Sequence, residues 1–151
     1  MILLTSASTV LVGVFVFVAG QLIAKFVIEP VHELRKAIGE TRFNLLFYAP
    51  AILTPIGRTR ESADQARDAL RKSSADLLIR SEAIPFYGLV SAISRGAVPQ
   101  RHKVAEAAKW LRSLSTHMHE TGDEASSNIQ QVAGDVQRIE ANLGLSSLHE
   151  S

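Results

Sequence analysis

Two short runs contain the residues best suited to metal chemistry. Glu29, His32 and Glu33 include an E-x-x-H pattern, which supplies metal ligands in di-iron helical bundles. Such a centre needs a second E-x-x-H and two further carboxylates, and the sequence has no second copy. His117 and His119 lie two residues apart, so they would converge only across an irregular turn. We therefore expect solvated side chains in both runs and no metal site.

Other patterns for catalysis or cofactor binding are missing from the sequence. It contains no cysteine, which excludes disulfides, thiol catalysis, zinc ribbons and iron–sulfur clusters. It also has no GxxxxGK[ST] phosphate loop, no GxSxG nucleophile turn and no HExxH helix. Nucleic-acid binding would need a reading motif or stacking aromatics beside a basic patch, and neither is found. We expect a non-enzymatic protein with no catalytic residue, no cofactor and no nucleic-acid partner.

The beginning of the chain is a long uncharged run, MILLTSASTVLVGVFVFVAGQLIA. About 20 apolar residues suffice to cross the hydrocarbon core of a bilayer as a helix. We predict a spanning helix over residues 8–28, within an anchor of residues 1–28. A cleavable signal peptide would start with basic residues and end at a small-residue cleavage site, which this run lacks. A soluble core helix is the other alternative, but its apolar faces would be hard to cover in a chain of 151 residues.

The charges beside the anchor predict its orientation. No basic residue precedes the apolar run, whereas Lys25, Arg35, Lys36 and Arg42 follow it. The positive-inside rule then places the N-terminus outside and the rest of the chain in the cytoplasm. Residues 1–112 carry 15 basic and 9 acidic side chains, against 1 and 6 in residues 113–151. The basic part is therefore nearest the membrane, where these four cations are candidates for contact with anionic lipid.

Small residues share one face of the predicted span. At about 100° per residue, the following five fall within about 60° of one another: Ser6, Thr9, Gly13, Gly20 and Ala24. Small side chains let two membrane helices approach closely, so this face predicts self-association or packing on a partner helix. The alternative is that glycine is simply frequent in membrane helices.

The rest of the chain reads as helices, with no clear strand. Pro30 either kinks a continuous helix or starts a new one. A capping-box pattern, Ser62-Ala-Asp-Gln65, predicts the start of the next helix, and another is expected over residues 101–119. The predicted core positions follow a three/four spacing: Val31, Leu34, Ile38, Leu45, Leu46, Ala63, Ala66, Leu70, Ser73, Leu77, Ile84, Val104, Ala107, Ala108, Leu111, Leu114 and Met118.

The last helix has the most regular pattern. Asp123 is expected to cap it and Gly144 to end it. Its apolar residues repeat at a/d spacing: Ile129, Val132, Val136, Ile139 and Leu143. Two heptads serve an intramolecular bundle or an oligomer seam equally well. The predicted fold is all-α: a transmembrane helix, a cytoplasmic domain of about four helices over residues 29–145, and a flexible tail over residues 146–151.

Two apolar stretches with aromatic pairs interrupt the helices, over residues 43–57 and 83–99. Phe47 and Tyr48 lie in the first, and Phe86 and Tyr87 in the second. Together with Trp110, these aromatics are candidates for the membrane interface or for lining a ligand pocket. The alternative is that both stretches close the ends of a bundle and that Trp110 covers its edge.

The junction after the anchor contains Glu29, Pro30, Glu33, Arg35, Ile38, Gly39 and Glu40, followed later by Ile84, Pro85, Phe86 and Tyr87. With these residues the chain resembles a family of small uncharacterised bacterial single-pass inner-membrane proteins. The resemblance implies a location in the bacterial inner membrane. It implies no activity and supplies no functional residue.

These observations favour a non-enzymatic membrane protein that acts as an assembly scaffold or accessory subunit. Its expected partners are the lipid bilayer and either copies of itself or another membrane protein. A ligand- or lipid-sensing bundle at the membrane surface is the alternative, and no small-molecule ligand follows from the sequence. A pore or holin-like oligomer is less favoured, because the span carries no charged residue to line a wet channel.

Overall fold

The structure is a computed structural model that describes residues 2–54, 59–94, 98–118 and 128–145, with side chains from Val10 onward. All regular elements in these ranges are helices, which confirms the all-α prediction. In chain order they are α1 (Ile2–Ile23), a π-helical turn (Ala24–Ile28), α2 (Glu29–Phe47), α3 (Ala49–Leu53), α4 (Arg60–Glu82), α5 (Tyr87–Ile93), α6 (Arg101–His117) and α7 (Ile129–Leu143).

The first three elements form one uninterrupted helix. Pro30 lies in the first turn of α2 and has no N–H to donate to the carbonyl four residues earlier. The π turn precedes it, and in this turn the Glu29 N–H donates to the Ala24 carbonyl, five residues back. This wider turn accommodates the proline without ending the helix. The predicted boundary at residue 28 falls at the end of the π turn.

Four long helices, α2, α4, α6 and α7, form the bundle. Helix α4 packs on both α2 and α6, and α7 packs on the other side of α6. Helices α2 and α4 are antiparallel: the Asn44 amide donates to Ser73 at 3.0 Å, and Arg80 pairs with Glu33 toward the opposite end. The first and last helices of the bundle, α2 and α7, make few contacts with each other.

The predicted core positions of α4 and α6 are confirmed, since all of them are buried. In α2, Leu34, Ile38 and Leu45 are buried and Val31 packs against the core, but Leu46 is about half exposed. The Ser74 hydroxyl lies between α4 and α6 and donates to the Ala108 carbonyl at 2.8 Å. Small buried residues thus let these two helices approach closely.

The helix ends correct one prediction. The N-cap of helix α4 is Thr59, three residues before the predicted cap Ser62, because the Thr59 side chain accepts the Ser62 N–H at 3.2 Å. The extended backbone of Thr59 suits a cap, whereas Ser62 is already helical, so the capping-box prediction was wrong. Asp123 and His119 lie outside the described residues.

Gly144 ends α7 as predicted. Its φ is +67°, and the Leu145 N–H donates to the Glu140 carbonyl at 2.9 Å. These features are typical of a Schellman motif, in which glycine adopts the left-handed conformation at low cost. The predicted seam residues Val132, Val136, Ile139 and Leu143 are buried in the core of this chain, and Ile129 is partly exposed at the helix start. The α7 stripe is therefore a bundle seam and is not free to join another copy.

Candidate functional site

The described part of the bundle does not cover helix α1. Among the described residues, one helix is long and apolar enough to cross a membrane, and its apolar window has no buried residue. Leu11, for example, is 71% exposed. Helix α1 therefore lacks, among the described residues, the burial expected of a soluble core helix.

The small-residue face of α1 is open. A Cβ added at Gly13 or Gly20 would meet no atom within 4 Å. Ala24, the last member of this face, begins the π turn. The side chains of Ser6 and Thr9 lie outside the described ones.

The π turn changes the direction in which this face points relative to the bundle. If the helix were regular throughout, the buried face of α2 would be rotated by about 60° around the helix axis from Gly13 and Gly20. A π turn inserts one extra residue and rotates the helix beyond it by about 100°. The small-residue face and the bundle-facing side of α2 consequently lie on nearly opposite sides, about 160° apart. The bundle thus leaves room for another helix beside the small-residue face.

The C-terminal end of α4 lies beside the exit of α1. Lys25, Glu29, Ile79 and Ala83 line a common hollow there. Ile79 is exposed although it is apolar. The hollow therefore combines charged residues of the π turn and early α2 with an apolar surface from α4.

Helix α5 begins a few residues after this end of α4. One of its faces is apolar and exposed. Phe86, Leu89 and Ile93 have helical i, i+3, i+7 spacing, and all three are exposed, Phe86 by 82%. Phe86 also has φ +52°, a left-handed conformation that a bulky residue adopts at a cost of about 1–2 kcal/mol. We call these three residues the α5 face. Phe86 is therefore only slightly covered by the described part of the chain.

Tyr87 is buried, which does not fit its assignment to the membrane interface, although it lines a pocket together with the exposed Phe86. Its side chain is 5% exposed in the core, and its hydroxyl donates to the Pro99 carbonyl at 2.8 Å. Burial raises the pKa of Tyr87 to about 12, although the nearby Arg101 charge opposes this shift. Tyr87 therefore fixes the start of α5 and leaves Phe86 outside.

The other aromatic candidates lie far from α1. Phe47 is 62% exposed at the end of α2, about 28 Å along the helix from Ile28. Its ring contacts Phe43 and Tyr48 at centroid distances of 5.6 and 5.0 Å. The structure thus separates the two aromatic pairs that the sequence presented as counterparts.

Trp110 covers an edge between α6 and α7. The Arg138 guanidinium lies 4.4 Å from the centre of its ring, and Arg138 also approaches Asp135 at 3.6 Å. The second Asp135 oxygen accepts a hydrogen bond from Ser113 at 3.1 Å. These contacts support the interpretation of Trp110 as an edge residue.

The basic candidates separate into three groups. Lys25 belongs to the hollow beside α4, whereas Arg35 and Arg42 line a cleft between α2 and the end of α7. Lys36 is exposed and lines neither. The sequence pattern does not identify Lys103, which the fold brings into the same cleft. Spacing along one helix could identify Arg35 and Arg42 as neighbours, but only tertiary packing adds Lys103.

The described residues of the runs suited to metal chemistry do not form a cluster of metal ligands. Glu33 pairs with Arg80, and His32 is exposed. The described residues contain no group of three or more His, Cys, Asp or Glu that could hold a metal ion. His119 and Glu120 are outside the described ranges.

No protein-family model, curated protein or solved structure matches this chain. The resemblance to bacterial inner-membrane proteins therefore stays a prediction.

Proposed function

We propose that the protein is a non-enzymatic, single-pass membrane protein that acts as an assembly scaffold or accessory subunit through its transmembrane helix. The proposal is supported by the difference in burial between the bundle and α1. The bundle buries its own seams, whereas the apolar window of α1 buries no residue. Exposed apolar surface of this extent needs a bilayer, and an open small-residue face suits a second helix.

The proposed location is the bacterial inner membrane, with the N-terminus outside and the bundle in the cytoplasm. The basic residues that follow α1 support this orientation. The uninterrupted helix supports a bundle that projects from the membrane, because α2 continues from α1.

The test is the mass of the protein purified in mild detergent from its native membrane, measured by native mass spectrometry. We expect a homo-oligomer or a complex with another membrane protein. The double variant Gly13→Ile/Gly20→Ile should release the monomer, because β-branched side chains keep helices apart. The control is Leu11→Ile/Leu22→Ile on the opposite side of α1, which should keep the wild-type mass. A monomeric wild type, or a glycine variant with unchanged mass, would refute the proposal.

The α5 face favours a second function, contact of the bundle with the bilayer surface. Phe86 lies just beyond the end of α4, which itself lies beside Lys25 and Glu29. Exposed apolar side chains at this level are suited to insertion between headgroups. This contact would hold the bundle in one orientation and make it sensitive to lipid composition.

Quenching by brominated lipids tests this contact. In a Trp110→Phe background, Phe86→Trp should be quenched in vesicles that contain brominated lipid. Phe47→Trp is the control, because it is also exposed but lies at the far end of α2. Equal quenching of the two reporters, or none for Phe86→Trp, would contradict contact through the α5 face.

A further inference from the structure

The open side of the bundle, between α2 and α7, contains a cleft of about 630 Å³. Its walls come from the outer face of α2, the start of α6 and the end of α7. Gly39 lies in the α2 wall, and a Cβ added there would meet no atom within 4 Å. The cleft is therefore accessible along α2.

The lining of this cleft is basic. Arg35, Arg42 and Lys103 contribute three cations, and no carboxylate is among the described residues that line it. Within the described part of the chain, Arg35 and Lys103 have no ion pair with Asp or Glu. Gln100 and Asn142 add neutral amide groups. A concave surface with several cations and no carboxylate attracts anions, because the positive potentials add.

The start of α6 adds to this potential. Helix α6 begins at Arg101 without an acidic residue in its first turn, and the Gln100 side chain does not cap it. Neither the first turn of α6 nor its cap residue therefore balances the partial positive charge of this helix end. Because Gln100 and Lys103 line the cleft, this end borders the cleft as well.

We propose that this cleft binds a phosphate-bearing anion. Arginine and lysine side chains form charge-assisted hydrogen bonds to phosphate oxygens, and the volume exceeds that of one phosphate group. Two sources share this chemistry. Arg35 lies about 10 Å along the helix beyond Ile28, near the level of lipid headgroups, while the cleft is also open to solvent and to soluble phosphates. The proposal does not depend on association through α1.

Two variants remove the site in different ways. Arg35→Gln/Lys103→Gln removes two cations, and Gly39→Leu places a side chain in the cleft without changing the charge. The matched control is Lys36→Gln/Arg112→Gln, which removes one lysine and one arginine from the same two helices outside the cleft. Circular dichroism checks that all variants retain the helical fold.

Binding is measured on the full chain with two probes. Pyrophosphate is titrated into the detergent-solubilised protein by calorimetry, and retention of phosphatidylglycerol against phosphatidylcholine is counted by native mass spectrometry. We expect at least one probe to bind, with about tenfold weaker binding in both cleft variants and wild-type binding in the control. Pyrophosphate binding assigns a soluble phosphate, and selective retention of phosphatidylglycerol alone assigns a headgroup. No binding of either probe, or an equal loss in the control, would overturn the proposal.

Discussion

Helices α1 and α6 differ in the way they use apolar side chains. Helix α6 buries the apolar residues of its stripe within the chain, including Leu111 and Leu114. The middle of helix α1, over residues 10–19, is apolar on all sides, and the described large side chains of α1 are exposed. Apolar residues therefore stabilise the fold in α6, whereas in α1 they must be covered by something outside the bundle.

Truncation of a buried leucine in α6 should have the largest effect on the stability of the bundle. Leu111→Ala should lower the free energy of unfolding of the bundle by about 2–5 kcal/mol, because it removes fully buried methyl groups. Leu11→Ala makes the same chemical change in α1 and should leave the bundle unaffected. The measurement is denaturant unfolding in mild detergent, followed by Trp110 fluorescence. A comparable loss in Leu11→Ala would mean that α1 packs on the bundle after all.

Tyr87 is buried and its neighbour Phe86 is exposed. The next largest expected effect is a loss of stability at alkaline pH that arises from the buried Tyr87. The pKa of Tyr87 is about 12 in the folded protein, against an ordinary value of 10. Between these pH values the unfolded chain loses the Tyr87 proton while the folded chain keeps it. Stability is therefore unaffected by this group below pH 10 and falls by about 2–3 kcal/mol as the pH rises through 12.

Unfolding free energies at increasing pH, compared between wild type and Tyr87→Phe, isolate this contribution from other titrating groups. The variant should lose about 1 kcal/mol at neutral pH, with its hydrogen bond to Pro99, and lack the additional alkaline loss. Parallel alkaline profiles would show that the Tyr87 hydroxyl is accessible to water in the folded protein.

The smallest expected changes in bundle stability come from replacing glycines of α7 and α1 with alanine. Gly144→Ala should destabilise the bundle by about 1 kcal/mol, because alanine is strained at φ +67°. Gly134→Ala, in the interior of α7 with open space around it, should stabilise the bundle by about 0.5–1 kcal/mol. Gly13→Ala should not change bundle stability, since a Cβ at Gly13 would meet no atom within 4 Å. The same unfolding assay measures all three, and a stabilising Gly144→Ala would contradict the left-handed cap.

Local patterns in the sequence were sufficient for several features of this protein. The uncharged run over residues 1–24 determined the apolar helix, because no arrangement of so small a bundle could bury all its faces. The three/four spacing in α4 and α6 determined which residues are buried, and Gly144 determined where α7 ends. Each of these depends on interactions within one helix or on the periodicity of one helix.

Tertiary structure decided the features that depend on residues distant in the chain. The a/d stripe of α7 suited either an oligomer or a bundle, and only its packing on α6 made it a bundle seam. Tyr87 and Phe86 are equivalent by sequence, but the Pro99 carbonyl holds one inside and leaves the other exposed. Lys103 joins Arg35 and Arg42 because α6 begins beside the outer face of α2. Helical periodicity specifies the face of a residue, whereas the partner of that face depends on how the helices pack.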